Sequence, residues 1–143
     1  MGGSAWHYVV DHQDDVKAAF ATLQQKVLAE GDYYPGFDNE FAFASFAELD
    51  EAREDEDFWE AGTHSILDMV RVVQAEEEQD VAVVRVLRAD EVRARFGSDQ
   101  PTAADFERLV SDGWPMTGWE GHVTALYENG KPTGLAFWGA SGD

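Results

Sequence analysis

The chain has 143 residues, of which 44% are hydrophobic and 13% aromatic, enough apolar surface for one domain with a proper core and too much for global disorder. It has no cysteine, which excludes disulfides, thiolate catalysis and thiolate-bound zinc or iron–sulfur centres. The net charge is −19, from 29 acidic and 10 basic side chains. A field of that sign repels DNA, RNA and anionic membranes, whose recognition depends on Lys and Arg, so direct nucleic-acid and membrane binding are excluded on electrostatic grounds. No apolar run approaches the roughly 18 residues of a membrane span, and no signal-peptide pattern opens the chain, so a cytoplasmic location is the expectation.

Met1-Gly2-Gly3-Ser4 reads equally as native sequence or a cloning remnant, and is set aside as a flexible N-terminus. Ala5–Val10, rich in aromatic and β-branched residues, predicts a first strand. A helix follows, capped at Asp14 or a near neighbour, carrying Val16, Phe20, Leu23 and Val27 at helical spacing and closed by Gly31. Tyr33-Tyr34-Pro35-Gly36 is a turn signal. Ser45 and Glu48 fit a capping box, in which each side chain answers a backbone donor of the other, and predict a second helix from about Phe46 to Asp55. Phe58 and Trp59 are expected to anchor the end of this segment in the core.

Gly62 precedes Thr63–Val73, read as a strand from its β-branched content, and Val81–Leu87 reads as another. The AEEEQD stretch between them predicts a hairpin loop. Asp90–Phe96, ended by Gly97, predicts a short helix. Thr102 with Asp105 opens a further helix that Gly113 closes. Val123–Tyr127 and Thr133–Trp138 flank Asn129-Gly130, a strong hairpin signal. The fold class that follows is α+β: a single domain over residues 5–143, with a mainly antiparallel sheet of about four to five strands, helices packed on one face, and the order β-α-α-β-β-α-α-β-β.

No catalytic signature is present. His64, with Asp68 four residues later, is the sharpest local candidate for acid–base chemistry. On a strand, however, His64, Ile66 and Asp68 share one face and Ser65 faces away, which disfavours a serine–histidine pair. The bland reading is a histidine hydrogen-bonded near a turn. His7, His12, His64 and His122 show no metal-binding spacing, and the acidic run near Asp55 lacks the glycine and terminal Glu of an EF-hand loop, so no metal site is expected. No cofactor is expected either, since neither G-x-G-x-x-G nor a P-loop occurs. Gly139-Ala140-Ser141-Gly142 resembles part of a nucleophile elbow, but no following helix aims the serine, and it reads as a tail. Trp114, Trp119, Tyr127 and Trp138 are candidates for an aromatic ligand pocket, with core packing as the plainer reading.

The charge distribution carries the most information. Residues 31–60 hold eleven acidic side chains and one basic, a net −10 that is more than half the excess in roughly a fifth of the chain. Carboxylates at helical i, i+3 and i+4 positions lie about 5–6 Å apart, comparable in scale to phosphate spacing on a nucleic-acid strand. The leading functional expectation is therefore an interaction module that docks on a basic protein and blocks it, as an inhibitor, immunity or anti-defence protein that imitates a nucleic acid. Glu48, Glu51, Glu54, Asp55 and Asp57 would supply the charge, and Trp59 and Tyr34 the aromatic anchors. One alternative is a small-ligand binder or enzyme with a pocket near His64, Asp68 and His122. Another is adaptation to high salt, which three Lys against seven Arg in an acidic chain also fit.

Overall fold

The computed structural model describes residues 4–34, 42–114 and 118–142. Pro35 and Gly36 of the expected turn, and Met1-Gly2-Gly3 of the expected N-terminal extension, lie outside the described residues.

Strand β1 (Ser4–Asp11) alternates as a one-faced strand should, with Trp6, Tyr8 and Val10 turned inward and Ala5, His7 and Val9 exposed. Helix α1 (Val16–Glu30) starts where Asp15 accepts a hydrogen bond from the Ala18 N–H at 3.1 Å, and stops at Gly31, whose φ of 67° is the left-handed conformation glycine adopts at low cost. Its inward face is Ala19, Phe20, Leu23 and Val27, with Gln24 buried among them. Gln24 is kept satisfied by donating to the Ile66 and Met69 carbonyls at 2.9 and 2.7 Å.

The helix expected over Phe46–Asp55 is present but ends at Ala52, and a further helix that the sequence did not suggest follows it. Helix α2 (Phe46–Ala52) begins at Ser45, whose hydroxyl accepts from the Glu48 N–H. The Glu48 carboxylate reaches back to the Ala44 N–H instead of closing the reciprocal box. The chain then breaks because Asp55 turns its carboxylate onto the Asp57 N–H and caps a new helix, α3 (Glu56–Ala61).

The long strand expected over Thr63–Val73 is also replaced. Ser65 accepts from the Leu67 N–H and caps a single 3₁₀ turn, Ile66–Asp68, while Asp68 accepts from the Thr63 N–H at 2.6 Å and its hydroxyl at 2.9 Å. These local side-chain bonds outcompete the sheet ladder, and only β2 (Arg71–Val73) is extended and paired.

Strand β3 (Val83–Val86) runs parallel to β2, not antiparallel, so residues 74–82 are a crossover and not a hairpin loop. Strands this short leave about 10 Å to retrace, which the connection spans without a helix. The loop is tied down by Arg85 donating to the Ala75 carbonyl at 3.0 Å and Gln79 donating to the Val83 carbonyl at 2.8 Å. Helices α4 (Ala89–Phe96) and α5 (Ala103–Asp112) follow, the latter with the Thr102–Asp105 capping box in place. Strands β4 (Glu120–Glu128) and β5 (Lys131–Ser141) form the expected hairpin, and Asn129 and Gly130 both have positive φ, as this tight turn requires.

The five strands lie in the order β1-β5-β4-β3-β2. β5 pairs antiparallel with β1 and β4, and β3 pairs parallel with β4 and β2, so this is an α+β fold with a mixed sheet. The helices cover both faces of the sheet, where the sequence suggested one. β5 explains this: Leu135 and Phe137 belong to the core beneath α1 and the 46–69 segment, whereas the alternating Ala136 and Trp138 belong to a second core with Val92 and Phe106 of α4 and α5. The Gly139–Gly142 stretch is no loose tail. β5 runs through Ser141, paired with Ser4, and the buried Ser141 hydroxyl accepts from the Trp6 indole at 3.1 Å.

Candidate functional site

The α2–α3 segment is amphipathic. Leu49 and Phe58 are fully buried and seat it on the first core, with Phe46, Ala52 and Trp59 packed partly behind them. Every carboxylate from 48 to 60 is exposed: Glu48, Asp50, Glu51, Glu54, Asp55, Glu56, Asp57 and Glu60. Two of them work locally, Glu48 and Asp55 as helix caps. A single cation enters the segment. Arg53 pairs with Asp50 at 3.1 Å, and its other terminal nitrogen donates to the Leu67 and Met69 carbonyls at 2.6 and 3.0 Å, so its charge is turned inward. Burial pushes the Arg53 pKa down, with Asp50 and Asp68 opposing.

The arginines at 71, 85, 88, 93 and 108 are paired elsewhere, with Asp80, Glu91, Asp90, Asp99 and Asp105. Among the described residues, therefore, the 48–60 carboxylates meet no cation except Arg53. They are exposed along two consecutive helices.

The two aromatic anchors read from the sequence are placed differently from each other. Trp59 is half-buried, donates its indole N–H to the Arg53 carbonyl at 2.7 Å and meets Trp119 edge-on at 5.2 Å, so it braces the segment from behind. Tyr34 bonds through its backbone to the Thr63 carbonyl at 2.7 Å and lays its ring 4.9 Å from that of His64.

His64, Asp68 and His122 do not converge. His64 is exposed, has a φ of 56° and shares a 3.0 Å hydrogen bond with the Ser4 hydroxyl through Nδ1. Asp68 is fully buried, and burial pushes its carboxyl pKa up against hydrogen bonds from Ser141 and Thr63. Ser65 is also buried and is engaged with the Thr63 hydroxyl at 2.7 Å, so it is not offered to His64 as a nucleophile.

His122 lies on the other face of the sheet. Its neighbour Val123 points into the first core, so His122 points into the second, 5.5 Å from the Trp138 ring. Burial, with the charges of Arg95 and Arg85, lowers its pKa to about 4. The enzyme-like pocket expected from these three residues is thus absent from the geometry, because strand alternation separates them.

The aromatic pocket is divided in the same way. Trp119 packs on Trp59 toward the α3 side, whereas Trp114 and the fully buried Trp138 belong to the second core. Tyr127 is half-buried, with its backbone N–H on the Pro101 carbonyl. Among the described residues, no three His, Asp or Glu side chains are arranged to hold a metal ion, and no helix is long and apolar enough to cross a membrane.

Two features had no sequence signal. Arg53 was legible only as a lone cation, not as the tie between α2 and the 3₁₀ turn. Arg85, buried on β3, reaches the Glu91 carboxylate on α4, a pairing that depends on the sheet face it occupies. Comparison with protein-family models, curated proteins and solved structures finds no match for this chain. The functional reading rests on its own residues.

Proposed function

We propose that the α2–α3 segment docks on a basic protein and occludes the surface that protein uses to hold an anionic partner, as a nucleic-acid mimic would. The observation that carries this reading is that eight exposed carboxylates between residues 48 and 60 face one cation, and that cation is committed inward. Such a surface speeds encounter with a positive cleft and repels acidic competitors. A cytoplasmic setting and the absence of direct nucleic-acid binding go with the proposal.

The test compares two acidic stretches of the same chain. Immobilised wild type is offered a native lysate at low and high ionic strength, beside a variant with Glu51→Gln, Glu54→Gln, Glu56→Gln and Asp57→Asn and another with Glu76→Gln, Glu77→Gln and Glu78→Gln. The proposal expects a basic protein retained by the wild type and the 76–78 variant, released by salt and lost by the 51–57 variant. Equal loss in both variants would mean that charge acts only as a diffuse coat, which is the salt-adaptation reading.

A further inference from the structure

We propose that the groove between α4, α5 and β4 binds a small organic anion, the Arg95 guanidinium holding its carboxylate while Leu87, Ala94 and Leu109 seat a flat apolar body. The groove has a volume of about 460 Å³ and is lined by these residues together with Glu91 and His122. That size suits a small molecule and not a protein surface.

Charge complementarity selects the ligand class. Six of the seven arginines have an ion-pair partner, and Arg95 is the exception among the described residues. It is exposed on α4 and borders this groove. On its other side it borders a smaller cavity with Asp105 and Asp112, but neither lies within ion-pair distance of it, and Asp105 is held by Arg108 at 3.4 Å.

The one carboxylate lining the groove does not compete for Arg95. Glu91 bonds the Arg85 guanidinium and accepts from the Arg88 N–H at 2.9 Å. Burial alone would raise its pKa, yet the bonds from Arg85 and Arg88 outweigh that and hold it below the usual range, so it stays ionised and internally neutralised. His122, flanked by Arg95, Arg85 and Glu91, is neutral at pH 7 and offers a flat aromatic wall with no charge of its own.

An unpaired guanidinium bordering the same groove as an imidazole and three aliphatic side chains thus inverts the local polarity of a chain whose net charge is −19. A planar carboxylate matches the guanidinium fork. A bare anion would gain only one exposed charge contact, which is worth little in water, so the apolar body is needed for affinity.

The probes are benzoate, benzyl alcohol and inorganic phosphate, titrated into ¹⁵N-labelled full-length protein and followed by amide chemical shifts, which also report that each variant is folded. Benzoate is expected to give saturable shifts at Leu87, Ala94, Arg95, Leu109 and His122. Benzyl alcohol and phosphate are expected to bind at least about tenfold more weakly, and Arg95→Gln to weaken benzoate by about tenfold, as loss of a charge-assisted contact does. Arg93→Gln, two residues earlier on the opposite side of α4 and paired with Asp99, should leave benzoate binding unchanged. Phosphate binding as well as benzoate, benzyl alcohol binding as well as benzoate, an unaltered Arg95→Gln titration, or no saturable shift at these positions would each overturn the proposal. The acidic surface lies elsewhere, so its own reading stands or falls separately.

Discussion

The molecule has two pairs of charged helices, and they handle charge in opposite ways. Residues 85–112, spanning α4 and α5, hold five arginines and six carboxylates, and four of the arginines are tied to a neighbouring Asp or Glu. Residues 46–60, spanning α2 and α3, hold eight carboxylates and one arginine. On the first side the charges neutralise one another, mostly in exposed pairs, and among the arginines Arg95 alone is left over. On the second the carboxylates are left exposed. A net charge quoted for the whole chain conceals this division, and with it the difference between a solvated coat and a directed surface.

The comparison breaks most severely if the seat of the acidic helices is removed. Phe58 is fully buried beneath α3, so Phe58→Ala should lose about 3–5 kcal/mol in urea unfolding. A loss below about 1 kcal/mol would mean that the acidic segment is not held by the core.

The α4–α5 side has its own signature in pH. The unfolded chain protonates His122 near pH 6.5, whereas the folded imidazole resists until about pH 4. Stability from this group is therefore complete above pH 6.5 and falls as the pH drops toward 4, by about 3 kcal/mol. Asp68 works in the opposite direction, because its raised carboxyl pKa gives stability that is present at low pH and lost as pH rises through its folded value. The difference between wild type and His122→Phe isolates the histidine. If their stabilities run parallel from pH 7 to 4, His122 is not buried as described.

Arginine itself sharpens the contrast. Arg53→Gln should lose about 1.5–3 kcal/mol, since it releases two buried carbonyls and Asp50. Arg93→Gln, which removes an exposed pair, should lose less than about 1 kcal/mol. Equal losses in thermal unfolding would erase the distinction between inward and outward arginines.

The smallest effect is expected from the charges proposed to serve a partner. The combined Glu51→Gln, Glu54→Gln, Glu56→Gln and Asp57→Asn variant should unfold within about 0.5 kcal/mol of wild type at moderate salt, since these side chains hold nothing in place.

Local signals carried much of the fold. The caps at Asp15, Ser45 and Thr102, the glycine stops at 31 and 97, and the Asn129-Gly130 turn each depend on neighbours within a few residues, and each appears in the structure. The exposure of the 48–60 carboxylates was legible for the same reason, since the charges are contiguous in sequence and the segment is held down by only a few apolar residues.

Failures came where side chains or distant strands decide. Thr63–Val73 has β-branched content, but Ser65 and Asp68 bond their own backbone and leave three residues of strand. β3 pairs with residues 120–123, a choice made by tertiary packing that periodicity does not report. The same holds for the two faces of the sheet, which part His64 and Asp68 from His122 and bring His122 beside Arg95.

The account depends most on the 48–60 carboxylates acting as one surface distinct from the rest of the chain's acidity. Titrating hexa-arginine into ¹⁵N-labelled protein at low ionic strength, with amide shifts followed along the chain, tests this directly. The account predicts that shifts concentrate on residues 46–60 and disappear in the 51–57 variant. Shifts of equal size at Glu76–Asp80, persisting in that variant, would contradict it.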